Sequence, residues 1–373
     1  MVDLFGQYLK IKDEIDKSVM NTINNCDFIN GKEVKEFQIN LSKFLHSKNV
    51  ITCANGTDSL QIALMALNLN KEDEIICPAF TYVATAEVIG LLGLKPVMVD
   101  VDIQTYNVTL ENIINSVTNK TKVIIVVHLY GQSCDMEPIL NFAKNKNIIV
   151  IEDNAQAIGS VYEFSDGTKK MTGTMGNIGS TSFFPSKNLG CYGDGGALNT
   201  DDDNLAEKMK MIANHGQEKK YYHKVLGCNS RLDSIQAAIL NVKIKYLDEY
   251  IKNRQKMADY YDLNLSNIEE IKLPIRFHKS SHVFHQYTLV IQNEKRDLLK
   301  NYLDKHGIPS MIYYPLPLYK QEAFKKYVPV DFKLTNTEYL CSSVLSIPIH
   351  TEFNEEIIQN TCNTIKEFFK KSK

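Results

Sequence analysis

A chain of 373 residues exceeds what one small core needs, and its length favours about two domains. The 44% hydrophobic and 23% charged shares are ordinary for a globular protein, and 42 basic against 44 acidic side chains leave a net charge of −2. So close a balance argues against nucleic acid or an acidic membrane surface as the main partner. The start, Met1 to Gln7, lacks the basic stretch and apolar core of a signal peptide. The longest apolar region, Val88 to Val101, is interrupted by Lys95, Pro96 and Asp100, so no membrane insertion is expected. Eight cysteines are scattered without a CxxC pair or a Cys/His cluster, which reads as reduced thiols in a cytoplasmic protein with no metal site.

In chain order, strands are expected at Val50–Cys53, Glu74–Cys77, Pro96–Asp100, Lys122–His128 and Ile148–Ile151. Helices are expected between them at Asp58–Leu69, Ala84–Leu94 and Glu137–Lys146. Continuous apolar strands alternating with helices predict an α/β fold with a mostly parallel central sheet flanked by helices. Two short runs, Thr181–Phe184 and Gly196–Asn199, flank the turn at Lys187 and finish the sheet. Leu232 to Leu265 reads as one long helical region, suited to a bridge between domains or a dimer contact. A smaller α+β segment follows, with strand Tyr287–Ile291, helix Arg296–His306, strand Met311–Tyr314 and a final helix capped by Asn354. The expected division is a large domain over 30–245 and a small C-terminal domain over 246–373, joined by 1–29.

Ligands of open α/β sheets lie beyond the carboxyl ends of the strands, and the polar clusters follow that rule. Ala54-Asn55-Gly56-Thr57-Asp58 opens a helix whose free N–H groups suit an anion, although such a start is usually only an N-cap. Tyr82, after the next strand, could stack on a flat ring or simply pack between helix and sheet. Asp153 follows the run Ile148–Ile151, and Gln156 lies three residues on; alone, both are ambiguous. Lys187 sits between an uncharged Ser-Phe-Phe-Pro stretch and the glycines 190, 193, 195 and 196, which suggests a lysine in a shaped pocket rather than a surface lysine. Desolvation there lowers its pKa and makes it a nucleophile. An amine able to bond an aldehyde, and a carboxylate able to keep a pyridine nitrogen protonated, read as the two halves of a pyridoxal phosphate site.

The order of these pieces resembles the sugar aminotransferases of the DegT/DnrJ/StrS group, within the fold-type-I pyridoxal phosphate enzymes, across essentially the whole chain. The resemblance implies that Lys187 bonds the cofactor and shuttles the proton between cofactor and substrate carbon. It implies that Asp153 pairs with the pyridinium nitrogen, Gln156 binds the ring hydroxyl and Tyr82 stacks on the ring. Ser182 and the backbone at Thr57 and Asp58 would hold the phosphate. The stretch Gly227 to Leu232 matches one that reaches into the partner subunit's site, so that Asn229 would touch the phosphate and Arg231 the substrate of an obligate homodimer with shared active sites. His215 and His350 also match family positions, the former as a structural residue.

Within the group, residues 53–58, 80–87, 182–187 and 189–197 look closest to enzymes acting on UDP-2-acetamido-2-deoxy-3-oxo sugars, with L-glutamate as donor. The uronate enzymes of O-antigen synthesis are one such set, and those making a diamino lipid A precursor are another. Relatives using dTDP-3-oxo-6-deoxyhexoses tend to carry leucine and asparagine where this chain has Thr57 and Phe80. Tyr313-Tyr314-Pro315 departs from a His-Tyr-Pro pattern and places Tyr313 and Tyr314 near the sugar. Asn154 replaces a small residue. The alternatives are a dTDP-sugar or C4 nucleotide-sugar aminotransferase and, more remotely, a non-catalytic cofactor-binding regulator.

Overall fold

The computed structural model describes residues 2–352 and 355–371. A seven-stranded sheet organises it: β1 (Asn49–Cys53), β2 (Glu74–Pro78), β3 (Lys95–Val99), β4 (Thr121–Val127), β5 (Ile149–Asp153), β8 (Ile178–Ser182) and β9 (Gly196–Thr200), with the hairpin β6 (Val161–Glu163) and β7 (Lys169–Met171) set outside. The spatial order is β1-β9-β8-β5-β4-β2-β3. Strands from β8 to β3 run parallel, and β9 is antiparallel to both neighbours. The parallel strands are largely buried, with Val and Ile prominent in β4 and β5, because both their faces are covered.

One face packs against α4 (Gly56–Met65), α5 (Ala84–Leu91) and α8 (Asp203–Ala213), through residues such as Leu60, Ile62, Val88 and Met209. The other lies on α6 (Leu110–Ile114) and α7 (Met136–Lys146). The β1 end is closed by α3 (Lys32–Leu45), whose Phe37 meets Phe183 edge-on at 5.2 Å, and by α9 (Ser234–Lys243). The helices α1 (Leu4–Lys10) and α2 (Lys12–Asn25) precede these, and Ile11 and Ile15 pack on Ile239 and Val242 of α9. Two contacts tie α1 to the far end of the chain, Gln7 to Thr351 and Lys10 to Glu352.

The region 232–265 is not one helix. A 3-10 turn at Ile244–Tyr246 separates α9 from α10 (Leu247–Leu265). The break lets α9 lie against α3 while α10 turns its Met257, Tyr261 and Leu265 to a second core. That core is built on β12 (Ile271–Lys272), β13 (Tyr287–Ile291) and β14 (Val344–Ile347), with α11 (Arg296–Lys305), α12 (Thr335–Ser343) and α13 (Glu355–Lys371). The strand expected at Met311–Tyr314 is absent: Met311 makes one bridge to Ser346, and the chain then leaves the sheet. Pro315 and Pro317, which cannot donate to a ladder, follow directly. The cap assigned to Asn354 lies outside the described residues; Glu355 and Glu356 open α13 at its positive end. An exposed hairpin, β10 (Gln217–Lys219) and β11 (Tyr222–His223), leads into residues 224–231. Among the described residues no helix is long and apolar enough to cross a membrane.

Candidate active site

The carboxyl ends of β1 and β8 and the amino end of β9 converge on the start of α4. Asn55 caps that helix by accepting the Asp58 N–H at 2.8 Å, and Ala54 N–H is taken by Ser230 Oγ at 3.0 Å. A Cβ on Gly56 would lie 2.6 Å from the Ser182 Cβ, and one on Gly196 would lie 2.4 Å from the Asn55 carbonyl. Only glycine lets the helix start approach both strand ends. Thr57 and Asp58 in its first turn therefore face the same rim as Ser182, at the positive end of the helix dipole.

Asp153 is the last residue of β5 and is buried. Its Oδ2 accepts from Thr85 Oγ1 at 3.0 Å and its Oδ1 from the Ala155 N–H at 3.1 Å. Burial pushes its pKa above the ordinary carboxylate value; the Ala155 N–H, the Lys187 charge and Thr85 pull it back. Behind it, Glu152 accepts three backbone N–H groups, from Gly173, Met175 and Gly176, together with His128 Nε2 at 2.7 Å. The neighbouring Asn154 is fully buried, and neither end of its amide has a protein partner.

Lys187 lies on the turn between β8 and β9, where its N–H donates to the Phe184 carbonyl at 2.8 Å. Burial lowers its pKa to about 8, against the upward pull of Asp153. The structure thus brings the amine and the carboxylate within electrostatic reach on one side of the sheet. An amine poised this way is uncharged above about pH 8 and nucleophilic there. Uptake of an aldehyde cofactor by the apoprotein is expected to slow about tenfold per pH unit below 8 and to level off above it. Growth of near-visible absorbance after mixing measures this, and a flat profile between about pH 6 and 7 would contradict the depressed amine.

An aromatic wall stands over this pair. Tyr82 is 58% exposed, 6.4 Å from the Tyr314 ring, and Phe80 beneath it meets Tyr314 and Tyr130 edge-on. Gln156 accepts the Tyr130 N–H at 2.7 Å and donates to Tyr314 Oη at 3.2 Å, so its amide already bridges the wall. Burial raises the Tyr314 phenol well above its usual range. Tyr130 Oη donates to the Tyr313 carbonyl.

Asn229 and Arg231 are not part of this cluster. Asn229 is exposed and pairs through its backbone with Asn214, and among the described residues no hydrogen bond or ion pair joins either side chain to Asp153, Gln156 or Lys187. His215 has a left-handed backbone (φ +59°) and donates its N–H to the Cys228 carbonyl, bracing the same segment. His350 is buried in the second core's margin, its Nδ1 accepting from Glu352 N–H. Thr85 and Tyr130 were given no role by sequence. Thr85 lies in the first turn of α5, fully buried, while Tyr82 precedes the helix and is exposed, so no helical spacing links the two. The Tyr130 contact is a backbone one and leaves no mark on side-chain identity.

The donor set suits pyridoxal phosphate: an amine whose pKa burial has lowered, a carboxylate desolvated enough to prefer a cationic partner, an exposed aromatic ring, and a helix start beside a serine hydroxyl. Two open clefts of 450 and 360 Å³ lie elsewhere, beside His350 and beside Asp100.

A family model for DegT/DnrJ/EryC1/StrS aminotransferases matches residues 9–366. The chain is 43% identical to the pleiotropic regulatory protein of Geobacillus stearothermophilus, over 99% of this chain and 98% of that protein. It is 42% identical to the UDP-2-acetamido-2-deoxy-3-oxo-D-glucuronate aminotransferase of Pseudomonas aeruginosa, over 97% and 98% of the two chains. It is 37% identical to the dTDP-3-amino-3,6-dideoxy-alpha-D-galactopyranose transaminase of Aneurinibacillus thermoaerophilus, over 98% of each. Among solved structures, S. venezuelae DesV superposes with a TM-score of 0.94 at 31% identity, covering 99% of this chain and 97% of that one. NtdA of Bacillus subtilis, solved with bound cofactor PMP, gives a TM-score of 0.89 at 31% identity, covering 97% and 82%. The chain therefore belongs to the DegT/DnrJ/EryC1/StrS aminotransferase family, and it is a sugar aminotransferase that depends on pyridoxal 5′-phosphate.

Proposed function

We propose that the chain moves an amino group from L-glutamate to the ketone of a UDP-linked 2-acetamido-2-deoxy-3-oxo sugar, giving a 3-amino sugar for a surface polysaccharide such as O-antigen or for lipid A. The observation that carries the aminotransferase chemistry is a desolvated Lys187 amine within electrostatic reach of the buried Asp153 carboxylate. The sugar assignment is supported by the 42% identity to the UDP-sugar relative, against 37% to the dTDP-sugar relative, and by Thr57 and Phe80.

In this reading pyridoxal phosphate, when bound, supplies an electron sink that acidifies the Cα–H bond of the amino donor. The rest is the work of side chains. Lys187 Nζ would hold the cofactor aldehyde and, as a free amine, would serve as the base for the proton on the donor carbon. Asp153 stays anionic to hold a proton on the ring nitrogen, with Thr85 and the Ala155 N–H fixing its two oxygens. Gln156 would hold the ring hydroxyl, Tyr82 would cover the ring face, and the start of α4 with Ser182 would take the phosphate. Tyr313 and Tyr314 line the sugar side.

Asn229 and Arg231 serve the partner subunit's site in a homodimer, which accounts for an exposed Asn229 with no tie to its own chain's cluster. Arg231 then meets a carboxylate through paired N–H groups, that of glutamate or of a uronate. The large domain spans 30–245 and the small one 246–373 with 1–29. A regulatory reading has one observation in its favour, the name of the 43% relative, but a regulator has no need of the proton-carrying amine.

Purified protein, glutamate and 3-oxo sugars generated in place by a dehydrogenase separate these readings. Mass spectrometry is expected to find an amino product from the UDP-linked sugar, formed at least tenfold faster than from the dTDP-linked one. Faster amination of the dTDP sugar, or of a 4-oxo sugar, would displace the UDP assignment. No amination of any of them would favour the regulator.

A further inference from the structure

We propose that His285, acting through Asn188, is a positioning residue for Lys187, and that it ties the aim of the amine to the small-domain side of the chain. The inference rests on the reading of Lys187 as the cofactor-bonding amine. Asn188 is the peptide neighbour of Lys187 and is buried. Its Nδ2 donates to the Val283 carbonyl at 3.4 Å, which leaves its Oδ1 as the acceptor facing His285 Nδ1 at 3.3 Å. The imidazole must therefore carry its proton on Nδ1 in this arrangement.

Segment 282–286, just before β13, is held unusually firmly. Arg254 of α10, buried and without a carboxylate partner among the described residues, donates Nη1 to the carbonyls of Phe284 (3.1 Å), His285 (3.2 Å) and Ile349 (3.4 Å). Phe284 is left-handed at φ +48°, its N–H donates to His282 Nδ1, and its ring stacks on His282 at 3.9 Å. Val283 N–H reaches the Gly131 carbonyl and Gln286 N–H the Tyr130 carbonyl, in the same loop that presents an N–H to Gln156.

Two cations face the imidazole, Lys187 from the β8–β9 turn and Arg254 from α10. Burial first, and then these two charges, hold its pKa well below the ordinary histidine value. A neutral His285 contributes a directed N–H and no charge. Its effect on Lys187 is geometric: it keeps the Lys187–Asn188 turn seated so that the amine stays desolvated beside Asp153.

The test uses the cofactor-loaded protein and the pH midpoint of its near-visible band. His285→Leu removes the N–H at similar volume and is expected to move the midpoint up by about one pH unit as water reaches the Lys187 nitrogen. His285→Asn restores a donor and is expected to bring the midpoint back near the wild-type value. The leucine variant's kcat is expected to fall about tenfold, with the KM for glutamate within a factor of about two, because no substrate contact is lost. A folded His285→Leu protein with the wild-type midpoint overturns the proposal, as does an asparagine variant no closer to wild type than the leucine one. If the leucine variant does not fold, Asn188→Ala is measured instead, and an unmoved midpoint overturns the proposal equally. A wild-type band that Lys187→Ala fails to remove would sink the cofactor reading as well, whereas an intact wild-type band with unmoved variants sinks only this one.

Discussion

Lys187→Ala is expected to reduce kcat by about 10⁴-fold or more and to abolish the near-visible band of the loaded protein, while leaving the fold intact. The size follows from what one amine does twice. In the proposed reading it would bond the cofactor aldehyde, which no other described amine near Asp153 is placed to do, and it would also carry the proton removed from the donor carbon. The fold should survive because among the described residues none hydrogen-bonds Lys187 Nζ, and its turn is held by backbone, with Lys187 N–H on the Phe184 carbonyl. Lys187→Arg separates charge from chemistry. Arginine keeps a cation near Asp153 but stays protonated and cannot form the bond, so its activity is expected to match that of the alanine variant. Activity of the arginine variant within about tenfold of wild type would remove Lys187 from the centre of the reaction.

The parts of this site written in side-chain identity were legible in advance, and the parts written in backbone were not. Continuous apolar runs located β1 to β5, because strands covered on both faces tend to be apolar throughout, whereas the run expected at Thr181–Phe184 meets β8 (Ile178–Ser182) only at its last two residues. The rule that ligands gather at strand ends then turned Gly56, Asp153 and Lys187 from three weak signals into one site. Periodicity could not see the break between α9 and α10: Ile244 to Tyr246 keeps a helical pattern, and only the need to face two different cores bends it. The false strand at Met311–Tyr314 came from β-prone residues whose ladder is cut by Pro315. The contacts of Tyr130 N–H with Gln156, and of Arg254 with the 284–285 carbonyls, depend on where the chain folds back across more than 20 residues, which composition does not encode.

Asp153→Asn is expected to cost about 10³-fold in kcat with little loss of stability, and its second effect identifies the cause. An aspartate about 4 Å from a protonated ring nitrogen contributes roughly 4 kcal/mol at an effective dielectric near 20, which is about three decades of rate. Asparagine has the same shape, and its Oδ1 can still accept the Ala155 N–H while its Nδ2 donates to a Thr85 hydroxyl that turns to accept, so both local contacts can be kept. Wild-type Asp153 sits with its pKa raised by burial, so it is costly to ionise alone and gains most from a cation placed opposite. The same carboxylate is what pulls the Lys187 pKa upward against burial. Removing the charge must therefore lower the Lys187 pKa below about 8. Cofactor loading of the asparagine variant should reach its plateau at lower pH than in wild type, even as turnover collapses. The two readouts move in opposite senses, slower chemistry but an amine freed at lower pH, and a general loosening of the pocket would not produce that combination. A loading profile that stays put, or shifts to higher pH, would mean that the 153 carboxylate and the 187 amine do not share one field, and the electrostatic account of the site would fail with it.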